Sequence, residues 1–301
     1  MRINFPTTGG PHLVSYRGRI VVPAQYFEAQ GWQVTVGRYD PLADVHVFSK
    51  HFNKAEDHQH LLDSPFGVFD LCDDHFQGPH GDYYRNMVRD AKLVITSSQG
   101  LSEIAGRGIP IAEPWELPEG KVRTPRAKKA VWYGHPSNLY TLDPLLPHLK
   151  QWDVTLITDP RAIQSGKNIT VLPFSLGNMQ SALKAAHVVL LPQPKKWKSP
   201  NRMVEAFRAG RFPVLADIPA YQGYGFPTGN EVETLKTVFD RDWTEELLAA
   251  QKRVNREFCP LEIGKQWFKT ITQALDSTSA AEARSGRAGR TSTPMDSALI
   301  L

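Results

Sequence analysis

The stretch "KSPNRMVEAFRAGRFPVLAD", residues 198–217, decides the fold prediction. It begins with polar residues, continues as a short helical pattern and ends in the apolar run "FPVLA". Met203 and Phe207 are four residues apart, so they share a helix face that we expect to pack inward. Gly210 then predicts the end of the helix and a turn into a buried strand. Such a helix and strand are typical of an α/β sheet.

The same alternation of apolar runs and helical patterns extends over most of the chain. The predicted strands are "RINF", "WQVTVG", "ADVHVFSK", "FGVFDLC", "KLVITS", "IPIAE", "AVWYG", "DVTLITD", "NITVLPF", "HVVLLPQ" and "FPVLAD". The other predicted helices cover 20–30, 53–62, 81–90, 99–106, 142–152, 178–186, 242–257 and 261–275. Continuous apolar strands that alternate with helices indicate parallel sheets. We therefore predict two Rossmann-like, doubly wound α/β domains that face a central cleft.

Local composition predicts the domain boundaries. The segment "PWELPEGKVRTPRAKK", residues 114–129, is rich in proline and charge, which is typical of a linker. The C-terminal segment is rich in small and polar residues, which is typical of disorder. The predicted divisions are an N-terminal domain at 1–118, a linker at 119–129, a C-terminal domain at 130–257, a helix at 258–276 that crosses back, and a disordered tail at 277–301.

Composition excludes several classes of protein. The chain has 301 residues, 41% of them hydrophobic, and no apolar run approaches the roughly 18 residues of a membrane helix. The segment "MRINFPTTGG" is too short and too polar for a signal peptide. The chain has two cysteines, Cys72 and Cys259, which lie far apart in sequence. This number and spacing do not fit a disulfide framework or a zinc site. We therefore expect a cytoplasmic protein.

Charge divides unevenly between the two halves of the chain. Residues 1–118 contain 10 Lys and Arg against 14 Asp and Glu, whereas residues 119–276 contain 22 against 15. The net positive charge of residues 119–276 therefore favours an anionic ligand in the second half of the chain. The alternative is that this charge forms a basic surface without a ligand.

The polar start of the opening stretch predicts a phosphate or diphosphate site. Ser199 or Asn201 can cap the helix, and Pro200 suits its first turn. The free backbone N–H groups of a helix start attract anions, and Lys198 and Arg202 add full positive charges.

Glu205 has two interpretations. It lies away from the inward face of the helix, so its carboxylate can accept hydrogen bonds from the diol of a ribose. The alternative is an exposed Glu paired with Arg202 or Arg208.

Two further loops of the second half follow strands and are candidates for the same ligand. In "WYGHPSN", Gly134 lets the backbone approach a ligand, and polar side chains that could bind phosphate or sugar hydroxyls follow it. These side chains are His135, Ser137 and Asn138. In "LPFSLGN", Phe174 could hold a nucleobase, the alternative being a core phenylalanine.

The segment "NRMVEAFRAGRFPVLAD" resembles the C-terminal nucleotide-binding motif of group 1 glycosyltransferases with the GT-B fold. The resemblance implies that the ligand is a nucleotide-sugar donor, most simply a UDP sugar, and that Glu205 holds its ribose. It also implies that the residues around Ser199 to Arg202 line the diphosphate of the donor and that no metal is required. Many retaining members carry a second Glu eight positions earlier, where this chain has Trp197, so the resemblance leaves the sugar and the stereochemistry open.

The GT-B arrangement implies that the first domain holds the acceptor. Its loop "TTGGPH" would border the reaction centre, which makes Gly9, Gly10 and His12 candidates for donor contact. Arg17 and Arg19 follow closely and could meet a phosphate, or they could belong to an exposed helix start.

The cluster "DDH" follows the apolar strand "FGVFDLC" and is the candidate catalytic group. Asp73, Asp74 or His75 could remove the proton of an acceptor hydroxyl. The alternatives are an ordinary helix cap and a metal site.

The acceptor is the least determined part of this prediction. The overall organisation and the "DDHF…YYRN" region are similar to glycosyltransferases encoded by tailed phages, some of which modify hydroxymethylated DNA bases. The resemblance thus implies a possible DNA acceptor, with the host cytoplasm as location. A surface glycan or small molecule is an alternative acceptor. The alternative functions are a non-catalytic nucleotide- or nucleic-acid-binding protein and a sugar-phosphate epimerase on the same fold.

Overall fold

Two parallel β-sheets organise the chain in this computed structural model, which describes residues 1–49, 54–163 and 166–288. The first sheet contains β1 (Arg2–Pro6), β2 (Gln33–Gly37), β3 (Val45–Phe48), β4 (Gly67–Leu71), β5 (Leu93–Thr96) and β6 (Ile109–Pro110). Its strand order is β2-β1-β3-β4-β5-β6, and all pairs are parallel. Its helices are α1 (Val14–Tyr16), α2 (Val22–Ala29), α3 (Lys54–Asp63), α4 (Gly81–Asp90) and α5 (Gln99–Ala105). A π-helical turn, Arg17–Val21, joins α1 to α2.

The second sheet contains β7 (Lys129–Tyr133), β8 (Asp153–Ile157), β9 (Ile169–Leu172), β10 (Val188–Leu191) and β11 (Phe212–Leu215). Its order is β11-β10-β7-β8-β9, again with parallel pairs. The remaining helices are α6 (Leu176–Ala185), α7 (Asn201–Arg208), α8 (Glu231–Thr237), α9 (Thr244–Glu257) and α10 (Pro260–Ala288). The predicted α/β class with two doubly wound units is therefore confirmed.

Burial follows the apolar runs of the sequence. Every residue of β3, β4, β5, β10 and β11 is buried, as expected for parallel strands covered on both faces. The edge strand β2 is largely exposed. The predicted end of α7 at Gly210 is confirmed, because Gly210 has φ +69° and a Cβ there would lie 2.6 Å from the Cα of Val122.

Three segments differ from the sequence prediction. The predicted helix at 142–152 is replaced by short 3₁₀ segments, Pro136–Leu142 and Leu146–His148. Pro144 and Pro147 explain this difference, because proline lacks an N–H and disfavours helix in the residue before it. The predicted strand "IPIAE" is shorter in the structure, where β6 contains two residues. The helix α8 has no counterpart in the sequence prediction.

The last helix is longer than predicted. The sequence predicts a disordered tail at 277–301, but α10 continues to Ala288. The rest of the predicted tail, 289–301, lies outside the described residues. Ile263, Trp267 and Ile271 of α10 are buried with Phe27 of α2 in the core of the first domain. The chain therefore returns to the first domain after completing the second. Within the part of the chain that the structure describes, no helix is both long and apolar enough for a bilayer span.

Candidate functional site between the two domains

The loop from β10 to α7 in the second domain contacts strand ends of the first domain. Three consecutive residues of this loop make polar contacts across the domains. Ser98 donates a hydrogen bond to the carbonyl of Trp197, Lys198 Nζ lies 2.7 Å from Asp73 Oδ1, and Ser199 donates to the carboxyl group of Glu113. The carboxyl ends of β4 and β5 thus meet the start of α7, the position at which open α/β sheets bind ligands.

The start of α7 is also hydrogen-bonded to the end of β7. The Tyr133 hydroxyl donates to the carbonyl of Arg202 at 2.6 Å, and Arg202 Nη1 donates to the carbonyl of Tyr133 at 3.4 Å. Gly134 follows directly, and a Cβ there would lie 3.0 Å from the Trp132 ring and 3.5 Å from Arg202 Nη1. The structure therefore brings Gly134 and Arg202, predicted from separate motifs, into one place.

The start of α7 differs from the predicted N-cap. The N-cap position is Pro200, which makes no side-chain capping hydrogen bond, and the neighbouring Ser199 and Asn201 side chains accept from N–H groups of the first turn. The Ser199 hydroxyl donates to Glu113 and accepts only weakly, at 3.4 Å, from the N–H of Asn201. The Asn201 side chain accepts from the N–H of Arg202 at 2.7 Å.

The other polar residues of the Gly134 loop bind one another. His135 Nδ1 lies 2.8 Å from the Ser137 hydroxyl and accepts from the Ser137 N–H at 3.2 Å. Both residues are exposed, and the Asn138 N–H donates to the carbonyl of His135. They form an exposed turn that starts the 3₁₀ segment.

Phe174 is not a core residue. Its side chain is 41% exposed, just beyond the end of β9. Since β9 is two strands from β7, and neighbouring strands lie about 4.8 Å apart, Phe174 is roughly 10 Å across the sheet from Gly134. This exposed ring remains a candidate for stacking a base.

The predicted catalytic group is divided among different partners. Asp73 pairs with Lys198, as described above. Asp74 Oδ1 accepts a hydrogen bond from the N–H of Phe76 at 3.1 Å, which is a contact within the same loop. The His75 ring packs against the Tyr84 ring, and the two ring centroids are 4.7 Å apart. Asp73 contacts the second domain through Lys198.

The glycine loop of the first domain is partly exposed. The Gly9 N–H donates to the Thr7 hydroxyl at 3.0 Å, and a Cβ on Gly10 would lie 3.2 Å from the imidazole of His12, which is exposed. Arg17 from the following segment pairs with Glu116 of the proline-rich segment 114–129, here called the linker. The loop thus borders the linker.

Arg19 is a structural residue, not a phosphate ligand. Its side chain is fully buried, and it donates three hydrogen bonds to the Asp70 carboxylate and one to the carbonyl of Ile111. Its guanidinium lies over the Trp267 ring, 5.3 Å from the centroid. Burial alone would lower the pKa of Arg19, but the charge and hydrogen bonds of Asp70, together with the charges of Cys72 and Glu113, outweigh burial and raise that pKa. The pair joins the π-helical turn, β4 and α10.

The alternative of an exposed Glu205 paired with an arginine is wrong, whereas the ribose contact stays a prediction. Glu205 is 6% exposed, and its carboxyl oxygens accept from the linker N–H groups of Glu116 at 2.6 Å and Leu117 at 3.3 Å. The neighbouring Arg208 donates to the carbonyl of Leu117. Glu205 therefore fastens α7 to the linker. Burial raises its pKa from 4.5 to about 7, although both hydrogen bonds act in the opposite direction.

This buried carboxyl group makes stability depend on pH. Because the folded state holds the Glu205 proton more tightly than the unfolded state, the contribution of this group to stability falls as pH rises from about 4.5 to about 7. Glu205→Gln cannot titrate, so we expect a shallower fall of the melting temperature over this pH interval. Thermal unfolding at several pH values tests this, with the exposed Glu233→Gln as the matched control. Equal slopes for wild type and Glu205→Gln would contradict the assignment.

Glu113 is a site residue that the sequence reasoning missed. It is 5% exposed, and burial raises its pKa, an effect that the charge of Arg19 partly offsets. Its only sequence signal is an acidic residue directly after the apolar run "IPIA" at the entrance to the linker. Among the described residues, no group of three or more His, Cys, Asp or Glu side chains is arranged to hold a metal ion.

Comparison with known proteins adds information on the fold. The sequence matches no protein-family model and no curated protein sequence. The structure is similar to Anabaena HepE in complex with UDP and glucose, with a TM-score of 0.64 at 13% identity, covering 90% of this chain and 99% of that one. It is also similar to sucrose-phosphate synthase from Thermosynechococcus elongatus, with a TM-score of 0.68 at 12% identity, covering 92% and 100%. The chain therefore has the two-domain GT-B fold.

Proposed function

We propose that the chain is a glycosyltransferase that moves a sugar from a nucleotide sugar, preferably a UDP sugar, to an acceptor hydroxyl group. The observation that carries the proposal is the convergence of Arg202, the Gly134 loop and the start of α7 at one edge of the second sheet. Structures of similar fold were solved with UDP, with UDP and glucose, and with UDP-glucose. The excess of Lys and Arg in residues 119–276 supports an anionic ligand in this half.

The donor would lie across the carboxyl edge of the second sheet. Its diphosphate would meet the side chains of Arg202 and Lys198 at the positive end of the α7 dipole. Its base would reach toward Phe174, since the separation of roughly 10 Å across two strands suits a nucleoside diphosphate. Both carboxyl oxygens of Glu205 accept hydrogen bonds from the linker, so we assign it a positioning role.

The chemistry is chiefly electrostatic. Breaking the bond between the anomeric carbon and the diphosphate leaves negative charge on the departing nucleotide, and fixed positive charges stabilise it as it develops. Arg202 is held for this role by its bond to Tyr133. Contacts between the domains at Trp197 and Ser199 would keep the two sides of the cleft together and thereby limit the access of water to the donor.

The acceptor is a hydroxyl compound bound on the first-domain side. A hydroxymethylated DNA base stays a prediction, as does the link to phages, and neither has support from the structures of similar fold. The net negative charge of residues 1–118 favours a glycan or small molecule over duplex DNA. We place the activity in the cytoplasm, which suits two free cysteines.

Release of UDP tests the proposal. The purified protein is incubated with UDP-glucose, UDP-galactose or UDP-N-acetylglucosamine and an acceptor, which is plain DNA, hydroxymethylated DNA or a mixture of oligosaccharides. We expect UDP release and an added hexose mass on one acceptor class, both lost in Arg202→Gln. Conversion of the UDP sugar without an acceptor would favour the epimerase, and nucleotide binding without turnover would favour the non-catalytic binding protein.

A further inference from the structure

Lys198 already has an anionic partner in the first domain. Its Nζ lies 2.7 Å from Asp73 Oδ1 and 4.4 Å from the centroid of the Trp197 ring. The two side chains are 26% and 22% exposed and come from positions 125 residues apart. The ammonium group that the proposed diphosphate would contact is therefore held by a carboxylate across the cleft.

A carboxylate and a phosphate are alternative partners for one ammonium group. Both are anions that accept short hydrogen bonds from Nζ. If Asp73 kept its place while a diphosphate bound beside it, two like charges would lie close together and repel each other. The Asp73–Lys198 pair and a bound donor thus oppose each other.

We propose that Asp73 competes with the donor for Lys198, and that donor binding transfers Lys198 from Asp73 to the diphosphate. This inference rests on the proposed function and extends it. The Asp73 carboxylate, which follows the end of β4, is then no longer paired with Lys198 and can take the proton of the acceptor hydroxyl. The acceptor oxygen then bonds to the anomeric carbon, and the electron pair of the broken C–O bond leaves with UDP. Until the donor binds, Lys198 keeps this carboxylate occupied.

Titration calorimetry with UDP tests the competition. Asp73→Asn removes the competing charge, so we expect it to bind UDP about two- to fivefold more tightly than wild type, in line with the strength of a partly exposed ion pair. In the Lys198→Met background, Asp73→Asn is expected to raise UDP affinity by clearly less than in wild type, because the competition for Lys198 is absent and only the like-charge repulsion is relieved. Asp82→Asn is the matched control, since it removes one negative charge from a 93% exposed position of the same domain. Turnover of Asp73→Asn is expected to fall although its UDP affinity rises.

Each other outcome is informative. Unchanged or weaker UDP binding by Asp73→Asn, with clear binding by wild type, would overturn the competition and leave the proposed function intact. An equal gain in the Lys198→Met background, or in Asp82→Asn, would mean a general effect of net charge and would also overturn it. If no variant binds UDP while all remain folded by circular dichroism, the proposed function fails as well.

Discussion

Arg19→Met is expected to lower the free energy of unfolding of the first domain by about 3–5 kcal/mol, the usual result of removing one partner of a buried ion pair. Asp70 would remain buried, and its remaining side-chain donors among the described residues would be the Ser49 hydroxyl and the Cys72 thiol. The substitution also removes the bond to the Ile111 carbonyl and the contact with Trp267 of α10. Urea unfolding followed by circular dichroism measures the loss.

Two further variants separate this explanation from a general effect of losing an arginine. Arg85→Met removes an arginine that is 54% exposed and paired with an exposed Asp82, so its effect should stay within about 0.5 kcal/mol. The double variant Arg19→Met with Asp70→Leu should regain much of the loss, because it leaves no unpaired buried charge. A loss below about 1 kcal/mol in Arg19→Met would contradict the structural role.

Arg202→Gln is expected to weaken UDP binding by about 10- to 100-fold. Hydrogen bonds to a charged group are worth about 1.5–3 kcal/mol each, and about 1.4 kcal/mol corresponds to tenfold in affinity. The Arg202 guanidinium lies beside Gly134, where the backbone can approach a ligand, and its own backbone carbonyl stays bound to Tyr133 in the variant. The fold should therefore persist while donor affinity falls.

Arg256→Gln is the matched control for this variant. It removes the same charge from a 72% exposed position on α9, so its UDP affinity should equal that of wild type. Melting temperatures of both variants show whether the fold is kept. Equal weakening by both variants would indicate long-range charge alone, and unchanged binding by Arg202→Gln would exclude Arg202 from the donor site.

The sequence predicts the sheets well because their signal is local. Strands such as β4 and β10 are continuous apolar runs, and parallel strands need such runs to be buried on both faces. The end of α7 is equally local, since the conformation there requires glycine at Gly210. The long α10 was underestimated because its small and polar residues beyond 276 resemble a disordered tail.

The candidate site is less predictable because its contacts join distant segments. Lys198 meets Asp73 only after the two domains are placed, and Ser199 meets Glu113 over a separation of 86 residues. The partners of Glu205 are backbone N–H groups of the linker, and every residue except proline carries one, so no side-chain pattern marks them. Gly134 and Arg202 were found separately in the sequence, but their proximity is visible only in the structure.

The most direct test of the donor site compares UDP, UMP and uridine by titration calorimetry with the wild-type protein. The proposed site recognises the diphosphate through Arg202, Lys198 and the start of α7, so UDP should bind with one-to-one stoichiometry and more tightly than UMP, with uridine weakest. Equal affinities for the three compounds, or no UDP binding at millimolar concentration by the folded protein, would contradict the donor site and with it the proposed sugar transfer.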